Sequence, residues 1–472
     1  MGGVAVKKML FSLDEVVNIV STLRIHAKSH KCVVESVVID SREAAANSLF
    51  IALPGTKTDG HNFIKNALNR GASSVIMKER WYNRLRGEII PLAESRGAAV
   101  IVVSDPLNAL QQLGKMYLKR FSSLVKLGIT GSSGKTTTKE MVASVLSLNS
   151  HVVANIKNLN SEIGVPLTAF RVNSSHEYAV FEMGTNHPGE MSVLANIVRP
   201  KLGLITNIGK AHIEYFNSKE AIAAEKASLF KYFSGKETAF LPDNEVLLKQ
   251  LKRGINGRVL FFGAKSTAGY GGYKDRGLDG ITVHWEGLPI QLSLYGKYNV
   301  LNALAAISLA VELGVSGKDI KEGLEMVQPL FGRSQIVRGE VTVLLDCYNS
   351  NPDSARKALE FLESVKWPGR KIALLGAMYE LGAQTETEHM ELAEFANRMN
   401  LDILFLFGDE FKASFEKLMS FSKGKRLSLL WEKDFDGLIR AVKKVFKTGD
   451  LVLLKASRGV ELEQILPLIK EI

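Results

Sequence analysis

Residues 126–141, KLGITGSSGKTTTKEM, read as a short apolar strand, a loop of glycines and hydroxyls, and a helix that opens on Lys135 and three threonines. A loop of this kind aims backbone N–H groups at one place, at the positive end of a helix dipole. That suits a phosphate. Lys135 would reach the outer phosphates of a nucleotide and the Thr136 hydroxyl would ligate Mg²⁺. Gly131, Ser132, Ser133, Gly134 and Thr137 complete the candidate nucleotide site. The strict spacing G-x-x-x-x-G-K-[ST] is not met, because five positions before Gly134 stands Ile129 and Gly128 lies one residue too early. A Gly/Ser turn before a surface helix is the plainer alternative. The order strand, loop, helix favours the nucleotide site.

The rest of the chain alternates in the same manner. Residues 1–104 mix short strands and helices and end in the buried strand GAAVIVVSDP. From 105 to 330 come the cradle, strand candidates HEYAVFEMG and PKLGLITNIG, a hairpin pattern GITVHWEGLPIQLSLYG, and the helical run NVLNALAAISLAVELGV. From 331 the alternation is regular: strands VTVLLDCYN, RKIALLGAM, ILFLFGD and DLVLLKAS are separated by helices such as PDSARKALEFLESV. That is a doubly wound α/β pattern, in which ligands sit at the carboxyl ends of strands. No G-x-G-x-x-G follows its first strand, so a dinucleotide is not indicated there. A length of 472 residues suits three domains at roughly 150 residues each.

Composition narrows the partners. Hydrophobic content of 46% and charged content of 23% describe an ordinary globular chain, and no apolar run approaches the ~18 residues a membrane span needs. The start, MGGVAVKKMLFSLDEVV, reads as a short extension, with Met9 as an alternative start, and lacks the apolar core of an export signal. Two cysteines, Cys32 and Cys347, make no disulfide framework and fit a reducing cytoplasm. The formal charge of +11 suits a polyanion, and its scatter along the chain favours a small one over nucleic acid.

Polar residues gather where the strands end. Glu182 closes AVFEMG and His212 follows ITNIGKAH, a carboxylate and an imidazole that suit Mg²⁺ or Mn²⁺. Glu182 alone would equally serve as a helix cap, His212 as a structural histidine, and Lys226 as one more solvated helix lysine. In the last domain DCYNSNPDS brings Asp346, Tyr348, Asn349 and Asn351 into one strand-to-helix turn, and LKASRGVE does the same for Lys455, Ser457 and Arg458.

These runs carry a resemblance. TGSSGKTTTKEM, NIKNLNSEIGVPLT, FEMGTNHPGE, TNIGKAHIEYF, GKYNVLNALAAI, DCYNSNPDS, LLGAMYELG and KASRGVE together resemble the Mur ligases, and VIDSREAAANSLFIALPGTKTDGHNF is similar to their UDP-sugar domain. The likeness covers residues 10–472 in the family's order, and the missing first glycine of the cradle is a mark of that family. It implies a three-domain α/β architecture: a UDP-binding N-terminal domain (1–104), a central P-loop ATPase (105–330) and a C-terminal Rossmann-like domain (331–472) that closes over it. It also implies the reaction, ATP-dependent joining of D-Ala-D-Ala to UDP-N-acetylmuramoyl-tripeptide through an acyl phosphate, carried out by a cytoplasmic monomer without nucleic acid.

Residue by residue, the resemblance implies that Thr136 and Glu182 hold one Mg²⁺. Glu182, His212 and a carbamylated Lys226 would hold or orient a second metal. Asn302 would approach the adenine, with Arg333 and Asp346 near the ribose or phosphates. Ser41 and Arg42 match uridine-diphosphate contacts, and Asn158, Asn160 and Glu162 the muramoyl-peptide loop. Tyr348, Asn349, Glu380, Ser457 and Arg458 fall where the acceptor dipeptide and the closed-state contacts lie. Asn302 on one side of QPLFGRS and Arg333 with Asp346 on the other then require closure about a hinge at Pro329 and Gly332. Ser161, Ala377, Ser228, Tyr298 and Ala456 depart from the family pattern, and none of them is a proposed ligand. The rival readings are a Mur-type ligase adding a single amino acid, a folylpolyglutamate synthase, a nucleic-acid-binding P-loop ATPase, and a non-catalytic binding protein.

Overall fold

The computed structural model describes residues 9–28, 32–55, 58–421 and 427–471. The N-terminal extension read in the sequence, residues 1–8, lies outside them. The chain divides into two compact units. The first holds the residues up to Gly128 with His151–Gly184 and Ser192–Lys201, and the second holds Ile129–Ser150, Thr185–Met191 and everything from Leu202.

The first unit is built on a five-stranded sheet in the order Thr22–His26, Ala99–Val103, Ser74–Lys78, Ser48–Ile51, Ser36–Val38. Its last four strands are parallel and the edge strand Thr22–His26 is antiparallel. Ala99–Val103 is buried at every position, as expected of a strand covered on both faces. Helix Pro106–Lys119 begins on an Asp105 cap, with proline in its first turn where no N–H is needed. Tyr117 on that helix packs edge-on against Phe11, Phe121 and Phe170. Strands Val152–Ala154 and Tyr178–Glu182 run parallel in this unit, and the start of Val125–Thr130 is tied in by Val125 N–H donating to the Glu177 carbonyl.

In the second unit the parallel strands Leu202–Ile205, Thr238–Pro242 and Arg258–Phe262 continue the alternation. Thr206 N–H donates to the Thr130 carbonyl, which aligns the end of Val125–Thr130 beside them. The hairpin pattern folds as strands Ile281–Trp285 and Leu288–Leu292, joined at Glu286 and Gly287, both at positive φ as a two-residue hairpin turn demands. Helix Tyr298–Glu312, apolar nearly all round, is buried nearly all round. Helix Gly317–Glu325 crosses Lys135–Ser147 at Gly323, where any side chain would strike the Val145 backbone.

The last sheet runs Gln335–Val337, Thr342–Leu345, Leu451–Lys455, Lys371–Gly376, Ile403–Phe407, Ser428–Glu432, all parallel except the first. Its core joins Val343, Leu345, Leu374, Phe405, Leu438 and Leu454. The three adjacent strands Thr342–Leu345, Leu451–Lys455 and Lys371–Gly376 carry at their carboxyl ends the polar runs singled out in the sequence. Ser428–Glu432, half-buried along its length, is an edge strand that the apolar pattern does not flag.

Candidate active site

The loop after Val125–Thr130 is held in shape from the second unit's own side. Gly131 has φ +148, and a side chain there would overlap the Thr206 hydroxyl. Gly134 has φ +80, and a side chain there would overlap the Asn302 amide. Only glycine fits either place. Asn207 receives two of the loop's N–H groups, Ser132 N on its carbonyl and Ser133 N on Oδ1, each at 3.0 Å. Thr206 Oγ1 and Asn207 Nδ2 both donate to the Ser133 carbonyl. Two donors expected to face a phosphate are thus spent on fixing the loop. Those left belong to the first turn of Lys135–Ser147, which has no intrahelical acceptor for them and no side-chain cap. Lys135 Nζ reaches back to the Gly131 carbonyl at 2.8 Å, so its ammonium stands over the loop mouth. Thr136 is buried beside it.

Lys226 is the unusual cation of this unit. Helix Lys219–Ala227 turns it inward with Ile222 and Ala223, and Leu229 and Phe230 follow, all buried; Lys226 itself is 3% exposed. No hydrogen-bond or ion-pair partner for it is found among the described residues. Its neighbour Glu225 is committed elsewhere, accepting from Gly189 N at 2.8 Å and Met191 N at 2.7 Å. Burial first, and then the charge of Lys135, bring the Lys226 amine down to about 7. A large share of this side chain is therefore neutral amine at neutral pH.

His212 and Glu380 both sit in the left-handed region, at φ +60 and +64, where residues other than glycine are rarely found. His212 Nδ1 lies 2.5 Å from Glu380 Oε2. The imidazole holds the Glu380 carboxyl below its ordinary value despite burial, with His187 and Lys135 adding to the effect. The loop following Lys371–Gly376 thereby delivers an acid to the loop after Leu202–Ile205. Two more contacts fasten the same loop, and a third reaches the cradle loop. Lys210 N donates to Asp353 Oδ2 at 2.9 Å, Lys210 Nζ pairs with Glu388, and Asn351 Nδ2 donates to the Ser133 hydroxyl at 3.4 Å.

At the carboxyl ends of the last sheet, Lys455 is 2% exposed and fully engaged. Its ammonium donates to the carbonyls of Asp346 and Asn349 and lies 3.0 Å from Asp346 Oδ2. Ser457 receives Tyr379 N on its hydroxyl and donates to the Ser350 carbonyl. The Tyr348 ring is covered by the Arg333 guanidinium at 3.9 Å, with Arg458 at 5.8 Å. Asp346, Tyr348, Asn349, Arg333, Ser457 and Arg458 are thus one cluster, as the strand ends suggest. The sequence offers no sign of Lys455 as its staple beyond position, nor of Asp353 and Glu388.

In the first unit, Glu182 ends its strand 2% exposed. Its N–H donates to Asn155 Oδ1, and Oε1 accepts from Asn160 Nδ2 at 2.7 Å. Glu182 Oε2 is buried with no hydrogen-bond partner among the described residues. Asn160 therefore orients Glu182 here, while Asn158 is exposed and Glu162 half-buried on the same loop. Ser41 is buried at the start of the turn Ser41–Glu43. Arg42 clamps Asp40, holding that carboxyl down to about 2. Among the described residues no three side chains of His, Cys, Asp or Glu converge as a metal cluster.

Fold and site together define a class: α/β proteins with a glycine-shaped loop at a helix start, next to a second doubly wound sheet. Three family descriptions match in order: the Mur ligase family catalytic domain over residues 33–118, the Mur ligase middle domain over 129–310, and the Mur ligase glutamate ligase domain over 332–458. The UDP-N-acetylmuramoyl-tripeptide–D-alanyl-D-alanine ligase of Treponema pallidum is 38% identical over 98% of this chain and all of its own length. The Bacillus subtilis enzyme of that name is 32% identical over 92% of each. A crystal structure of MurF from Acinetobacter baumannii superposes with a TM-score of 0.86 at 27% identity, covering 98% of this chain and 99% of its own. MurF from Thermotoga maritima in complex with ADP gives 0.76 at 28%, over 92% and 97%. The chain belongs to the Mur ligase family.

Proposed function

We infer that the chain is an ATP-dependent, ADP-forming ligase that adds D-alanyl-D-alanine to UDP-N-acetylmuramoyl-tripeptide, in the building of peptidoglycan precursors. The observation that carries this is the end-to-end likeness to ligases of that activity, at 38% identity over 98% of the chain. Domain bounds of 1–104, 105–330 and 331–472, a monomeric state and a cytoplasmic location, where ATP is available, are part of the proposal.

The chemistry explains why a phosphate cradle serves amide formation. A carboxylate is a poor electrophile because its oxygen leaves badly. Transfer of the γ-phosphoryl group to the tripeptide's terminal carboxylate gives an acyl phosphate and ADP. The amine of D-Ala-D-Ala then attacks the carbonyl carbon, a proton leaves the nitrogen, and the tetrahedral intermediate expels phosphate. Two anions must meet in the first step, and Lys135 with the first-turn N–H groups from Gly134 to Thr137 answers that repulsion. Mg²⁺, when bound, neutralises charge on the β- and γ-phosphates. As the resemblance implies, we assign His212 and a carbamylated Lys226, with Glu182, to a second metal, and Thr136 with Glu182 to the first. The unpartnered Glu182 Oε2 supports the last assignment, since a buried carboxylate oxygen without a donor suits a cation. The amine of Lys226 adds to CO₂, forming an N–C bond and losing one proton, and becomes a carbamate with two oxygens of the kind Mg²⁺ prefers.

Asn302 is assigned to the adenine, Arg333 and Asp346 to the ribose and phosphates. Ser41 and Arg42 take the uridine diphosphate, and Asn158, Asn160 and Glu162 the muramoyl peptide. Tyr348, Asn349, Glu380, Ser457 and Arg458 take the acceptor dipeptide and the contacts of a closed state. The test is phosphate release from ATP with UDP-N-acetylmuramoyl-tripeptide, with and without D-Ala-D-Ala, alongside D-Ala, L-Lys, diaminopimelate and glutamate as rival acceptors. Release with D-Ala-D-Ala and not with the single amino acids is expected. Turnover with a single amino acid alone would assign the chain to another branch of the family.

A further inference from the structure

Tyr298 opens helix Tyr298–Glu312, and Asn302 lies one turn further along the same face. Asn302 packs against Gly134 of the cradle. Tyr298 faces Ser334: its phenol shares a 2.9 Å hydrogen bond with that residue's hydroxyl. Ser334 is buried and left-handed, φ +46, a conformation that serine adopts only when its surroundings hold it there. Its N–H in turn donates to Asp346 Oδ1 at 3.3 Å, and the other oxygen of that carboxylate is on Lys455. One helix thus touches the cradle with Asn302 and the end of strand Thr342–Leu345 through Tyr298 and Ser334. The turn before it adds two braces. Tyr295 stacks on Phe361 at 4.3 Å and Lys297 pairs with Glu360 at 3.2 Å.

We propose that Tyr298 is a positioning residue for the nucleotide: through Ser334 it sets where Asp346 and its neighbour Arg333 stand relative to the cradle. Burial pushes the Tyr298 phenol far up, so it stays protonated and the tether does not loosen across the physiological range. The proposal rests on the reading of Asp346 and Arg333 as nucleotide contacts.

The experiment is steady-state ligation by wild type, Tyr298→Phe, Ser334→Ala and the double variant, with ATP, UDP-N-acetylmuramoyl-tripeptide and D-Ala-D-Ala each varied in turn, and melting curves for each protein. Tyr298→Phe keeps the ring and removes one hydrogen bond. A rise in KM for ATP of about three- to tenfold is expected, the size of one net hydrogen bond, with the KM of the UDP substrate nearly unchanged. Ser334→Ala, which leaves the helix untouched, should give the same split, and the double variant should be no worse than the stronger single one. An unchanged KM for ATP in both single variants, an equal rise for all three substrates, or additive losses would overturn the proposal while ligation by wild type stands. Absence of ATP-dependent ligation by wild type would overturn the functional reading beneath it, and the proposal with it.

Discussion

Two lysines of the second unit are equally hidden, Lys226 at 3% exposure and Lys455 at 2%, and their surroundings could hardly differ more. Lys455 spends its ammonium on a carboxylate and two carbonyls, and so ties the Asp346–Asn351 turn to its own strand end. Lys226 has apolar neighbours, a glutamate beside it that is occupied elsewhere, and a second cation in Lys135. Burying a charge is tolerable when it is paired and costly when it is not. The first arrangement holds a shape. The second keeps an amine neutral, and a neutral amine is a reagent. Burial alone separates neither lysine from an ordinary core residue; the partners do.

The comparison breaks if the two respond alike to substitution. Lys455→Met should be the more damaging to the fold, by about 3–5 kcal/mol, because it strands the Asp346 carboxylate in a buried turn; chemical denaturation measures this. Lys135→Ala leaves the fold in place, since its ammonium stands at the loop mouth, but should lower kcat on the order of 10²–10³-fold by removing charge from the transferring phosphate. Near wild-type turnover by a folded Lys135→Ala protein would reject the cradle as the phosphate site.

Lys226→Ala should lose on the order of 10²-fold in turnover. Millimolar acetate or formate should restore part of it by supplying a carboxylate at the empty ligand position, whereas no such addition helps Lys455→Met. Full activity without the additive would return Lys226 to the role of a plain helix residue. Lys226→Met should also change stability in CO₂-depleted buffer. An ordinary lysine titrates at 10.5 and Lys226 at about 7. Between those values the unfolded chain holds a proton that the folded chain does not, so wild-type stability rises with pH across that window and the burial cost is complete below it. Lys226→Met should therefore be the more stable protein at pH 7, by up to about 4 kcal/mol. The gap should close toward pH 10. A constant gap would mean that the lysine carries its charge in the fold.

Local signals made much of this legible. The strand, the glycines and the helix start between 126 and 141 lie together in sequence, and the cradle needs nothing distant to be recognised. The strands of the last sheet announce themselves because both faces are covered and the apolar runs are unbroken. Lys226 reads as one more solvated helix lysine, although its neighbours three and four residues away are apolar, and the structure turns it inward with them. What is not readable is who meets whom. Asn207 capturing two loop N–H groups, Asn160 turning toward Glu182, and Lys210 bridging to Asp353 and Glu388 each join residues far apart in sequence. So does Ser334 between Tyr298 and Asp346. Ser428–Glu432 escaped because a half-buried edge strand has no continuous apolar run.

Carbon-13 NMR of the enzyme equilibrated with carbon-13 bicarbonate asks most directly whether the buried amine without a partner is part of the machinery. One slowly exchanging carbamate carbonyl resonance is expected in wild type. It should be absent from Lys226→Ala, present in Glu380→Gln, and fade as the pH is brought below about 7, where the amine takes up its proton. No such resonance in wild type, or one that persists in Lys226→Ala, would contradict the assignment of Lys226 as a metal ligand and leave it a buried lysine like any other.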